Sequence, residues 1–208
     1  MLTPLRKGAD YHHGDLKHAA ILSARKLVAA KGLTGLGIRT VADRIGVTPP
    51  AMYRHFESLE ELRIELSAHV RDELADLMTA RREKASKSKS RRRRALDRFE
   101  AIGEAYVDYA RENPRLFEIA FMSCSDELID ESSSRSSQVL QQAIAELEEV
   151  GLLDGKAKSL APMVAWSAVH GLATLVAQRA ISQREYSKSL REVFTGVERA
   201  ILKRTSSQ

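Results

Sequence analysis

Nine side chains between Arg39 and His55 have the types and spacing needed to grip a nucleic-acid duplex. Tyr53 and His55 carry donors for phosphate oxygens, contacts that position a protein without reading sequence. Arg39 can reach a guanine edge or a phosphate, with Thr40 beside it, and Arg54 adds a further cation. Thr48, Pro49, Pro50 and Ala51 should face base edges. The last three offer apolar contact, suited to thymine methyl groups rather than to bidentate hydrogen bonding. A basic arm with Arg6 and Lys7 either reaches a neighbouring minor groove or is a solvated tail.

A second set is apolar and aromatic. Tyr106, Tyr109, Phe117, Phe121 and Met122, with Trp166 and His170, either line a small-molecule pocket between helices or form plain core. Trp166 and His170 are four residues apart and share a helix face, and Gly171 lets a neighbouring helix approach. Two further residue sets, and the motifs the sequence lacks, point away from other chemistry. His12, His13, Asp15 and His18 have a metal-like composition, but adjacent histidines point apart and Asp15 is placed to cap a helix. No metal and no cofactor is expected. Cys124, the single cysteine, excludes an intramolecular disulfide and a multi-cysteine zinc site, and it fits a reducing, cytoplasmic setting. Nothing near it in sequence would lower its pKa. There is no Gly-rich phosphate loop, paired-carboxylate motif or nucleophile motif, so an enzyme is not expected.

The elements that must position these groups are helical throughout. Leu16, Ala20, Ala24, Leu27 and Val28 keep the 3.6-residue period of a helix from Asp15 to about Lys31, closed by Gly32. A short helix over Arg39–Ile45 ends at Gly46, which can take the left-handed conformation. Thr48 offers a side-chain cap to a second short helix, Pro50–His55, with Pro49 where a missing N–H costs nothing and Met52 and Phe56 inward. Ser58 and Glu61 form a capping box for a long helix reaching about Glu83. Most of Arg81–Arg94, rich in Ser, Lys and Arg, reads as a mobile or frayed connection. Further helices are expected to Asn113, over Leu116–Met122, Val139–Leu147, Leu160–Ile181 and Ser187–Arg204, with a polar stretch over Asp126–Ser137. The fold class is all-α, with about nine helices. The divisions expected are an arm and helix-turn-helix domain over 1–57, a connecting helix over 58–83, and a body over 84–208.

Charge follows the same division. Residues 1–57 hold nine Lys and Arg against four Asp and Glu, whereas residues 95–208 hold 13 against 17. A basic head on an acidic body suits a nucleic-acid reader joined to something that is not one. The N-terminal residues show no apolar signal segment. Leu160–Gln178 has no charged residue but is broken by Pro162, Ser167, His170 and Thr174, so a buried interface helix explains it better than a membrane span.

Residues 14–66 resemble the DNA-binding domain of the TetR family of bacterial transcriptional regulators. The match rests on Gly32, Arg39, Val41-Ala42, Gly46-Val47-Thr48, Met52-Tyr53-Arg54-His55-Phe56 and Leu62, with Tyr11-His12-His13-Gly14-Asp15-Leu16 before them. Trp166, His170 and Gly171 resemble the Trp-His-Gly signature of one C-terminal type. The resemblance implies a homodimer joined through the last two helices, a double-stranded DNA operator and a small-molecule effector in the body. Repression released by that effector is the expected action, with activation or ligand-independent control the alternative. Two positions depart from the family pattern. Gly37 stands where a Ser or Thr often caps the first short helix and touches phosphate. Leu59 stands where a Lys usually donates to the DNA backbone. Backbone N–H groups at both helix starts remain available to phosphate.

Overall fold

The computed structural model describes residues 13–85, 88–121 and 134–203, with side chains from Leu16 onward. The described residues form nine α-helices and no strand. One isolated bridge joins Leu153 and Leu202. No described helix is long and apolar enough to cross a membrane. Two compact units divide the chain. One gathers Met1–Val70 with Arg115–Ile129, and the other gathers Arg71–Pro114 with Asp130–Gln208.

The first unit is built on α1 (His13–Lys31), α2 (Ile38–Ile45), α3 (Pro49–Met52), the first part of α4 (Leu59–Lys84) and α6 (Pro114–Ala120). Leu16, Ala20, Ile21, Ala24, Leu27 and Val28 of α1 are buried, together with Ile38, Val41 and Ala42 of α2. These are the positions the 3.6-residue period selects. α2 stops at Gly46, whose φ of 78° is left-handed. A Cβ there would meet nothing within 4 Å, so the backbone conformation, not crowding, calls for glycine. The second short helix is shorter and earlier than the spacing implies. It covers Pro49–Met52, and Tyr53–His55 form a turn held by His55 N–H to Met52 O at 2.9 Å. The reason is the buried pair Met52 and Phe56, which pulls the chain inward across that turn. Ser58 does cap α4, its Oγ accepting from Glu61 N–H at 3.1 Å, but the Glu61 carboxylate returns to the Glu57 N–H rather than to Ser58. α6 is fastened to its neighbours by polar bonds. Arg115 donates to the carbonyls of Ala29 and Ala30 at the end of α1, and Ser67 Oγ donates to Ala120 O at 3.1 Å.

The second unit contains the remainder of α4, α5 (Arg91–Glu112), α7 (Arg135–Glu149), α8 (Ala161–Ala177) and α9 (Tyr186–Ile201). The Arg91–Arg94 run is not a frayed connection. It is the first turn of α5, capped by Ser90, whose Oγ accepts from Arg93 N–H. Arginine is a good helix former. Arg93 pairs with Asp97 at 2.6 Å, and Arg92 donates to the carbonyls of Val150 and Gly151 just past the end of α7. Those carbonyls lack helical partners and favour a cation. The connection therefore shrinks to the residues between Lys84 and Arg91. Arg82 binds Glu146 of α7 at 2.5 Å, and Arg98 binds the same carboxylate at 3.2 Å. Asp154 N–H to Ile201 O and Lys203 N–H to Leu152 O tie the α7–α8 connection to the end of α9.

Candidate nucleic-acid interface and ligand cavity

In the first unit, α2 and α3 are held from inside by Val41, Ala42, Met52 and Phe56, all with no exposed surface. Whatever lies between these anchors must face outward. Arg39, Thr40, Thr48, Pro50 and Arg54 are exposed, and Pro49, Ala51 and His55 are half-buried. Tyr53 is 54% exposed, so its ring and hydroxyl are open to a partner. The nine proposed contacts thus lie on α2, α3 and the turn that follows. Thr48 takes the N-cap position of α3 with extended backbone, but its hydroxyl makes no capping bond. Its carbonyl accepts from Ala51 N–H at 2.9 Å instead.

The two helix starts differ as phosphate sites. Gly37 caps α2 with extended backbone and no side-chain bond, leaving the first-turn amides of α2 open to an anion. At α4 the Glu61 N–H is taken by Ser58, and Glu60 and Glu61 add negative charge to the first turn. Leu59 itself is half-buried. The expectation that both starts are available to phosphate therefore narrows to α2.

The second unit holds a partly open cavity of about 340 Å³, within the usual size range of small-molecule sites. Its walls come from α4 (Met78), α5 (Phe99, Glu100, Ile102, Gly103, Tyr106), α7 (Ser136, Leu140, Gln141), α8 (Pro162, Met163, Trp166, Val169) and α9 (Phe194, Glu198). Gly103 matters to its shape, since a Cβ there would stand 3.0 Å from the Phe194 ring. Of the residues the sequence singled out, Tyr106 and Trp166 line this cavity. His170 stands behind them, its Nδ1 2.9 Å from the Tyr106 hydroxyl and its ring stacked on Trp166 at 5.2 Å. Burial lowers the His170 pKa and favours the neutral ring.

The remaining candidates sit elsewhere. Tyr109 is buried, and its hydroxyl donates to Glu73 at 3.2 Å. Phe117 and Phe121 belong to the first unit, where their rings pack 4.8 Å apart. Met122, Cys124, His12, Arg6 and Lys7 lie outside the described residues. Among the described residues no cluster of three or more His, Cys, Asp or Glu side chains is arranged to hold a metal.

Sequence reasoning missed Glu100 and Glu198. They come from different helices and their carboxyls are hydrogen-bonded in the cavity wall. The available signal was a carboxylate set within the apolar run Phe99, Ile102, Gly103, Tyr106. Burial, then the hydrogen bond and charge of Glu198, raise the Glu100 pKa to about 7. The folded-state value lies above the ordinary 4.5, so protonated Glu100 adds stability that is complete below about pH 4.5 and is lost as pH rises through about 7. The thermal midpoint should accordingly fall between about pH 5 and pH 8, and Glu100→Gln should flatten that slope. Melting curves across this range, compared with the variant, check it.

An all-helical chain whose exposed helix-turn-helix is seated on a buried core is a DNA-binding regulator by class. Two family profiles match it: "Bacterial regulatory proteins, tetR family" over residues 21–66, and "Tetracyclin repressor-like, C-terminal domain" over residues 99–196. The chain belongs to the TetR family of transcriptional regulators. It is 25% identical over 167 residues to YobS of Bacillus subtilis (strain 168), an uncharacterized HTH-type transcriptional regulator, covering 78% of this chain and 80% of that one. Among solved structures it resembles a protein of unknown function from Rhodococcus sp. RHA1, with a TM-score of 0.72 and 21% identity over 94% of this chain and all of that one. A TetR-family regulator from Marinobacter aquaeolei VT8 superimposes with a TM-score of 0.62 and 17% identity, covering 90% of this chain and 96% of that one. At such identities these two structures speak for the fold alone.

Proposed function

We propose that this regulator is a cytoplasmic homodimeric repressor that binds a near-palindromic DNA operator and releases it when a small molecule enters the cavity of the second unit. The observation that carries the reading is the cavity. A core of plain packing residues would close on itself, whereas this one leaves about 340 Å³ among aromatic side chains with few polar groups. α4 supports the coupling. Its early residues Leu62 and Leu66 are buried in the DNA-binding unit, and Met78 on the same helix lines the cavity. A ligand moves such a helix only by binding its two positions unequally.

Dimerisation through α8 and α9 is supported by a stripe on α8. Leu160, Met163, Ser167, Gly171 and Leu175 repeat at threes and fours and all are exposed, Leu160 at 60% and Met163 at 62%. An apolar stripe with small residues at its centre suits close packing against a second helix. Two recognition segments would then meet half-sites about one DNA turn apart. On the DNA side, Tyr53 and His55 are assigned to phosphate, and Pro49, Pro50 and Ala51 to methyl contacts. Replacing Tyr53 and His55 together with Ala should weaken operator binding about a hundredfold, since each lost hydrogen bond to a charged group removes roughly 1.5 kcal/mol or more. A titration of fluorescent operator tests this, and unchanged affinity would sink the assignment.

A further inference from the structure

The apolar walls of the cavity do not call for two carboxyl groups, yet Glu100 of α5 and Glu198 of α9 both line it and are hydrogen-bonded to each other. Burial and the neighbouring Glu198 raise the Glu100 pKa to about 7, so this wall is acidic and becomes more so as pH rises through that value. Phe99, Tyr106, Trp166 and Phe194 surround them. The described lining residues include no Lys, Arg or His. From this geometry we infer that the cavity, read above as the effector site, takes a ligand with one positive charge on an apolar body, an amine or a quaternary ammonium.

Three physical arguments converge on that class. A buried charge is costly unless it is paired, and a cationic ligand group would pair a carboxylate of a wall whose described residues include two Glu and no Lys, Arg or His. Aromatic faces attract cations, most strongly where water is excluded. An anionic ligand would meet Glu100 and Glu198 with no opposite charge among the described walls. Neutral His170, held on Tyr106, supplies none.

The same arrangement sets a pH dependence. The charged groups bearing on Glu100 are Glu198 from α9 and, from its own helix, Arg93 and Asp97, which are paired with each other at 2.6 Å. α7 presents Ser136, Ser137 and Gln141, α8 presents Trp166 with neutral His170 behind it, and α4 presents Met78. A cation is held more strongly once Glu100 is ionised. Binding therefore tightens as pH rises through about 7.

Trp166 is the only tryptophan of the chain and lines the cavity, so its fluorescence reports occupancy. The full chain is titrated with three probes of one shape: benzyltrimethylammonium, its uncharged carbon isostere neopentylbenzene, and phenylmethanesulfonate. The expected result is cation binding at least about ten times tighter than either of the others, strengthening from pH 6 to pH 8. E100Q should keep the preference and lose the pH slope, because one carboxylate remains. E100Q combined with E198Q, with its folding checked by melting, should lose the preference. Equal quenching by the three probes overturns the charge assignment and leaves an apolar effector cavity. Quenching by none of them overturns the cavity reading and the charge assignment together.

Discussion

Replacing Ala51 with Glu should abolish specific DNA binding, a loss of about a thousandfold or more, because a like charge pressed against an anionic partner costs several kcal/mol. Ala51 is the third residue of α3 after the Thr48 cap, half-buried and on the outward side. That position is also where a Glu helps a helix, by returning to the cap N–H and by meeting the positive end of the dipole. The substitution should therefore leave the melting temperature unchanged or slightly raised while the affinity collapses. Any Glu at this position that still binds operator with near-native affinity would show that α3 does not face the DNA. The contrast with Tyr53 and His55 is informative. Their removal takes away anchoring bonds, whereas Ala51→Glu adds repulsion at the site assigned to base edges.

Phe56→Ala should destabilise the first unit by about 3–5 kcal/mol, the usual cost of emptying a core aromatic site. Phe56 has no exposed surface and closes the core beneath the Tyr53–His55 turn, with Lys17 Nζ 6.0 Å above its ring. Losing it removes the inward pull that, with Met52, presents Tyr53, Arg54 and His55. DNA binding should fall with the stability of this unit, and the cavity of the second unit should keep its probe binding. Urea unfolding followed by circular dichroism, with Trp166 fluorescence reporting the second unit separately, measures both. A cost below about 1 kcal/mol would mean that the helix-turn-helix is not seated on this side chain.

These two predictions rest on the part of the chain whose physics is local. Gly46, the Pro49-Pro50 start and the Met52–Phe56 pair each act within one turn of their neighbours, so the helix-turn-helix was legible from spacing alone. The bounds of α3 were misplaced, its start by one residue and its end by three, because a buried i, i+4 pair is equally compatible with a helix and with a tight turn. The body was harder to read for a reason of distance. Arg91–Arg94 looked like a solvated run because its acceptors, the carbonyls of Val150 and Gly151, come from the end of a helix 58 and 59 residues away. Glu100 and Glu198 meet across α5 and α9, and no local pattern brings them together. The aromatic residues divided in the same way. Tyr106 and Trp166 reached the cavity, whereas Tyr109 turned to Glu73, and Phe117 belongs with α1 and α4 because Arg115 and Ala120 fasten α6 there.

The departures at Gly37 and Leu59 now have structural content. α2 begins without a side-chain cap, and α4 begins with its own capping bonds and two carboxylates. In the proposed assignment, phosphate anchoring then falls to Tyr53, His55 and the open amides of α2, and the methyl contacts of Pro49, Pro50 and Ala51 read the sequence. Such a reader should prefer thymine at the positions under α3.

The most direct measurement is selection of bound duplexes from a random pool by the purified full-length protein at physiological salt. The expected result is enrichment of a near-palindrome with half-sites centred about one helical turn apart, bound at least about a thousand times more tightly than random DNA. Recovery of unenriched sequence, with equal affinity for random duplexes, would contradict it.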